Sequence, residues 1–474
     1  MLFLRKLLFW VFVVVYIIIC PLLILYALGY IYSPVKQELV HTGVLYIATV
    51  PAGADVYLAK SHFSHTTPAT IRELLPGSYK VTLRKKGYRA WTHSITIEAG
   101  KAVTFKNILL IPNNWPQKNI TADTCRDLIP IENDQSFLIT TGSELGSFFI
   151  YNVNGAIRSL SSIQSPFSTL PVTKVYSAAE SDVLIIYGGS FGDKKYLYLN
   201  LKDNKPYAID ITRFFPDEPS FIAWQAAKET DLFTCRKNCI NFINVETGKT
   251  FPCYLENIKG FGIYGEGLYI IDQNNVLTYQ TFETYKQKDL SEDMHLAKRL
   301  FDRSEFYRIE ARNADTIFFL GTKGDFIVSS PPYHIAAQDV IGYKFGGNPD
   351  LLLYWTKTSL AIADFSISRD KTTFHENFKV QTIYENGRSI KQAFWLDDRS
   401  HILCDDADSI YLIELQPQGP PHVESILGIK GRTKVFYDGD ENTLYYLDAD
   451  SGVLNQIQII PKQPITISPF RMYD

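Results

Sequence analysis

The chain opens on one long apolar run and then changes period. Leu7 to Ile31 reads LLFWVFVVVYIIICPLLILYALGYI, with no charged side chain in it. At about 1.5 Å of rise per residue, a helix over this run reaches across a hydrocarbon layer of about 30 Å. Pro21 lies inside it, where a membrane helix kinks but need not break. Trp10 near one end and Tyr26, Tyr30 and Tyr32 near the other suit the two membrane interfaces. The pattern predicts a tail over residues 1–6, a transmembrane helix over 7–32 and a linker over 33–42. Arg5 and Lys6 precede the run and outvote Lys36 beyond it, so the positive-inside rule places 1–6 in the cytoplasm and the bulk of the chain outside it. A cleaved signal peptide is the competing reading, with Ala27-Leu28-Gly29 as its small-residue site. Its apolar region would run only about 7–15 residues, so a retained single-pass anchor is favoured. Cys20 follows the bulky Ile19 and does not suit a lipid-modified cysteine.

Beyond the linker the period becomes two. Val44, Tyr46 and Ala48 alternate with Leu45, Ile47 and Thr49; Val56 and Leu58, then Tyr79, Val81 and Leu83, then Ile95 and Ile97 continue the pattern. Pro51-Ala52-Gly53, Pro76-Gly77, Lys86-Gly87 and Ala99-Gly100 punctuate these strands. Short strands with regular turns predict a small antiparallel sandwich.

The landmarks Pro51-Ala52-Gly53-Ala54, Thr67-Pro68-Ala69, Leu75-Pro76-Gly77-Ser78-Tyr79 and Gly87-Tyr88 fall in an order that resembles a PEGA domain. The resemblance covers about residues 43–112, and Ala52 stands where that family's motif has Glu. It implies a non-catalytic β module of bacterial envelope proteins, a spacer or binding unit. Read from the residues alone, Gly53, Gly77 and Gly87 serve turns, Pro51 and Pro76 fix strand ends, and Tyr88 and Trp91 pack on the sheet. Tyr88 and Trp91 are also the candidates for a ligand-binding surface.

From residue 113 to 474 one theme repeats: a hydrophobic strand, a polar or glycine-containing turn, and a second hydrophobic strand. Eight such pairs begin at Phe137, Val183, Leu232, Leu268, Ile317, Leu351, His401 and Thr443. Their starts lie about 35–50 residues apart, and a four-stranded propeller blade needs about 40–45. The expectation is an all-β chain in which a seven- or eight-bladed β-propeller follows the helix and the small sandwich. Two consecutive β-sandwiches are the runner-up. Phe394 to Leu415, reading FWLDDRSHILCDDADSIYLIEL, resembles bacterial periplasmic propellers of the TolB or YncE type. One segment, Ser291 to Phe301, carries a helix-opening pattern.

Composition changes this picture little. Hydrophobic residues make up 46% and charged residues 20%, enough for a real core, and 29 Tyr and 30 Phe lean towards strands. A net charge of −3 offers no basic excess for nucleic acid. Of six cysteines, five follow the anchor; Cys235 and Cys239 flank Arg236-Lys237-Asn238 at a predicted hairpin tip and are the candidate disulfide of an oxidising compartment.

No catalytic, cofactor or metal residues are assigned. Gly248-Lys249-Thr250 lacks the first glycine and the strand-to-helix context of a phosphate loop and reads as a hairpin turn. His62 and His65 lack a third ligand. The acidic groups Asp397-Asp398, Asp405-Asp406-Asp408, Asp438 to Asn442 and Asp448 to Asp450 match turn chemistry better than a calcium loop. The expected function is non-enzymatic: a membrane-anchored envelope protein whose propeller presents a face to a protein or glycan. The alternatives are a propeller hydrolase acting on envelope glycans and a sensor ectodomain, which with residues 1–6 as its cytoplasmic part would need a membrane partner.

Overall fold

A computed structural model describes the chain except residues 1, 34–36, 60, 132–135, 164–166, 178–181, 191–192, 203–205, 220, 226–227, 237, 283–286, 290–299, 302–304, 314–315, 329–333, 347–349, 366–378, 397–399 and 462–474. The helix pattern read over Ser291 to Phe301 therefore falls almost wholly outside the described residues, as do Asp397 and Asp398.

The apolar run folds as one helix, Leu2–Ala27, so the residues read as a tail belong to it. Its Leu7–Ala27 part, 21 residues, is apolar enough and, at about 32 Å, long enough to cross a membrane. The helix ends sooner than the apolar run does. Gly29 turns the chain at φ +85°, and Tyr30–Ser33 becomes a strand paired antiparallel with Glu38–His41. Thr42 closes this hairpin, donating from both its amide and its hydroxyl to the Gly29 carbonyl, and Tyr30 stacks on His41 at 4.6 Å. The span predicted over 7–32 and the linker over 33–42 are corrected accordingly: a glycine turn, not the loss of hydrophobicity, sets the boundary.

The chain forms two compact units: Met1–Pro116 with Glu414–His422, and Gln117–Ile413 with Val423–Ile459. In the first, Ala69–Leu74, Gly43–Val50 and Ala102–Leu109 form a three-stranded sheet, and Ser61–Thr66, Asp55–Leu58, Gly77–Arg84 and Trp91–Ile97 a four-stranded one. Burial along Gly43–Val50 alternates strictly, with Leu45, Ile47 and Thr49 inward. Leu45 and Ile47 meet Val56, Val81, Leu83, Ile95 and Phe105 in one core.

The second unit is an eight-bladed propeller. Seven consecutive four-stranded meanders run from Asp127 to Gly428, and an eighth combines Phe436–Asp438, Thr443–Leu447 and Val453–Gln458 with Gln117–Thr124. The early strand Gln117–Thr124 pairs antiparallel with the late strand Val453–Gln458, which ties the two ends of the ring together. Leu128, Phe137, Ile139 and Tyr151 of blade 1 share a core with Phe436, Tyr445, Leu447 and Leu454 of blade 8, so the sheets close on each other. The eight hairpins seen in the sequence are the second and third strands of these eight blades. The central residues of many of those strands are buried, completely so in Ser136–Thr140 and Thr443–Leu447, because a neighbouring blade covers each face.

Candidate functional site

Where blades 1, 2 and 8 begin, their first strands, the segments leading into them and the turn after Thr140 line a half-open cavity of about 400 Å³. Its walls carry four cations: Arg126 beside blade 1, Lys174 on the first strand of blade 2, and Arg432 and Lys434 on the approach to blade 8. Asp127 is the one carboxylate there. On a chain of net charge −3, this is a local reversal of sign. The Lys174 ammonium lies 4.6 Å from the Tyr176 ring centroid and 3.5 Å from Glu218 Oε1. Burial pulls its pKa down, yet Tyr176 and Glu218 together hold it above the ordinary lysine value, so Lys174 is charged. Arg126 touches Asp127 only loosely, at 3.5 Å. Arg432 and Lys434 are exposed, and among the described residues neither has a hydrogen bond or salt bridge within the protein.

The backbone behind these cations is stitched together. Lys430 Nζ donates to the Cys125 carbonyl at 2.8 Å, linking the segment approaching blade 8 to the one approaching blade 1. Arg126 N donates to the Thr140 carbonyl. From blade 7, Lys391 donates to the Thr433 carbonyl, and Gln392 Nε2 to the Val435 carbonyl at 2.6 Å. Lys391 also pairs with the fully buried Asp405 at 2.8 Å. Burial pushes the Asp405 carboxyl up to about 6, against the pull of Lys391, Gln392 and Lys434. A carboxyl whose pKa rises on folding stabilises the fold while protonated, below about pH 4, and loses that contribution as the pH climbs through 6. Comparing wild type with Asp405→Asn by chemical denaturation, the stability difference should move about 2 kcal/mol in the variant's favour between pH 4 and pH 7.5. A difference independent of pH would contradict this.

The residues singled out in the small sandwich occupy a different part of the fold. Pro51 to Ala54 turn between Gly43–Val50 and Asp55–Leu58, with Gly53 at φ +84°. Thr67 locks that turn: its carbonyl accepts from Gly53 N at 2.7 Å and its Oγ1 from Ala54 N at 2.9 Å. Pro68 follows it into Ala69–Leu74, Gly77 opens Gly77–Arg84 after Pro76, and Gly87 at φ +86° makes the turn before Tyr88. Ala52 is exposed, and its carbonyl accepts from Lys85 Nζ at 2.7 Å. This is the connectivity that the motif order anticipates.

Residues 42–110 match the PEGA domain family. No curated protein matches the chain. Among solved structures, the chain is similar to the β-propeller domain of Myceliophteria thermophila Cps50 (Swd1), at 10% identity and a TM-score of 0.42, covering 73% of this chain and 99% of that one. The C-terminal WD40 domain of Sif2 gives 11% identity and 0.47, covering 73% and 98%. The computationally designed Ika8 protein gives 10% and 0.41, covering 71% and 97%. The blade count rests on the strand pairing above.

Within the PEGA domain, neither candidate aromatic offers a free ring. Trp91 is 4% exposed and belongs to the core, and its Nε1 donates to Glu414 Oε2 at 2.9 Å inside the same unit. Tyr88 is half-buried against that core and bridges to Pro112 through the backbone. The packing reading describes both, and the binding-surface reading of Trp91 is corrected by its burial.

The disulfide is also corrected. Cys239 pairs with Cys253, not Cys235, at a Cα–Cα distance of 4.9 Å. Cys239 lies on the third strand of blade 3 and Cys253 on the fourth, so the bridge crosses neighbouring strands. Cys235 faces the core between blades 3 and 4, where burial pushes its thiol up to about 12. Alkylation of the unreduced, denatured protein followed by mass measurement should show Cys239→Ser exposing one new thiol, at Cys253. Cys235→Ser should expose none; a new thiol in that variant would restore the 235–239 pairing.

The described acidic groups act within the fold. Asp406 accepts from the amides of Arg388 and Ser389 and from the Tyr384 hydroxyl. Asp438 Oδ1 accepts from the amides of Asp440 and Glu441, and Asp448 Oδ1 from those of Asp450 and Ser451. In the Gly248-Lys249-Thr250 segment, Thr247 N donates to Asn244 Oδ1 and Gly248 sits at φ +69°, a hairpin turn between strands. His62 and His65 lie on the exposed strand Ser61–Thr66, with His62 3.9 Å from Asp55.

Sequence reasoning passed over Arg126, Lys174, Arg432 and Lys434. Each is an ordinary surface cation in linear order. Aligning the repeats would have placed all four at the start of a blade's first strand, and hence on one face of the ring.

Proposed function

We propose that this chain is a membrane-anchored recognition protein of a bacterial envelope. The helix Leu2–Ala27 holds it in the membrane with Arg5 on the cytoplasmic side, and the propeller binds its ligand outside without transforming it. The observation that carries this reading is the cavity shared by blades 1, 2 and 8. Four cations from three separate chain segments converge there, on backbone held by Lys430, Lys391 and Gln392. Prepositioned charge on rigid strands is the chemistry of recognition. The apolar helix and the PEGA domain support an envelope setting.

The test uses the full chain purified in mild detergent. Presented with envelope extract and an array of envelope glycans, it should retain a specific ligand and release it chemically unchanged. Cleavage of a glycan with no retained ligand would overturn the reading in favour of a hydrolase.

A further inference from the structure

Resting on that reading, we propose that the cavity between blades 1, 2 and 8 is a binding site for a small oxyanion bearing at least two negative charges. Three features fit this ligand. The cavity, at about 400 Å³, has the size of a small-molecule site and not of a macromolecular groove. Arg126 and Arg432 supply planar guanidinium forks, which match the paired oxygens of phosphate or carboxylate groups, while Lys174 and Lys434 add point charges. Arg432 spends its charge on no partner among the described residues, while Lys434 also acts on the Asp405 carboxyl.

Thr140 also lines the cavity, but its hydroxyl is sealed from solvent, so it is the cations that face a bound anion.

Calorimetry on the full chain in neutral detergent tests this, with inorganic pyrophosphate, citrate and neutral maltotriose as probes. Binding of pyrophosphate or citrate is expected, and maltotriose should not bind. The two anion arms separate a phosphate source from a carboxylate source. Affinity should fall when salt rises from 20 to 200 mM. The exposed double variant Arg432→Gln with Lys434→Gln should lose at least tenfold, and Lys249→Gln, an exposed cation on a blade 3 hairpin, nothing.

Binding that is equal in wild type and double variant, or absent for both anions, overturns the inference, as does binding of an acidic peptide alone. The envelope experiment keeps the two claims apart. If the double variant retains the same envelope ligand as wild type, the recognition reading stands and the oxyanion site falls.

Discussion

Gly262→Val should unfold the propeller at a temperature well below that of the wild-type protein. The first strands of blades 4 and 5, Ile258–Tyr264 and Tyr307–Asn313, pair directly in parallel, Gly260 with Tyr307 and Phe261 with Arg308. No other pair of blades among the described residues merges its sheets in this way. The approach requires glycine: a Cβ on Gly262 would overlap the Ile309 carbonyl oxygen, and one on Gly260 would crowd the Tyr307 carbonyl. Both obstacles are backbone and cannot swing aside. A β-branched residue there must push the blades apart, with an expected loss of about 3 kcal/mol or more. Gly428→Ala is the matched control, since a Cβ there meets nothing within 4 Å; it should cost less than about 1 kcal/mol. Equal melting shifts for the two variants would contradict the paired arrangement.

The second large effect is expected at the closure of the ring. Phe137 is fully buried, with Tyr151 at 4.9 Å, Phe436 at 5.1 Å and Tyr445 at 5.2 Å between ring centroids. Two of these partners come from blade 8, so this ring joins the first blade to the last. Phe137→Ala should cost about 3–5 kcal/mol from lost burial and the cavity left behind. Because each blade is stabilised by its neighbours, weakening this seam should also free the strand Gln117–Thr124. Limited proteolysis should then cut between residues 117 and 126 far faster than in wild type. Phe251→Ala, at a side chain 43% exposed, should change neither reading. If the Phe137 variant unfolds early but is cut elsewhere first, the seam is not where the ring opens.

These two sites also mark what the sequence made legible. The hairpins of the second and third strands were visible because blades on both sides cover the inner strands, which forces apolar runs such as Leu351–Trp355 or Thr443–Leu447. Outer strands were harder to see: Lys379–Tyr384 is exposed along most of its length and carries little pattern. The closing strand Gln117–Thr124 was the least legible, reading QKNITADT with no buried side chain. Its place is set by hydrogen bonds to a strand more than 300 residues away, and backbone pairing leaves no mark on side-chain periodicity.

The small sandwich was easier for a different reason. Its motif residues make local contacts, Thr67 with the Gly53 turn, so their order survives in linear sequence. Spacing along the chain points Cys239 to Cys235 at the same hairpin tip, but it does not report what lies across the ladder. In a meander, a cysteine two strands' length away can lie directly across the ladder, as Cys253 does. The cationic cavity was hidden likewise, since its four cations are drawn from the start and end of the propeller sequence.

Placement of the propeller outside the cytoplasm is the claim on which the functional account turns. Labelling sealed spheroplasts with a membrane-impermeant amine reagent tests it most directly, because Lys174 and Lys434 are exposed on the propeller. The account predicts modification of both lysines in intact spheroplasts, with the full chain remaining in the membrane pellet after alkaline carbonate washing. Lysines that react only after lysis, or a full chain washed free of the membrane, would contradict it.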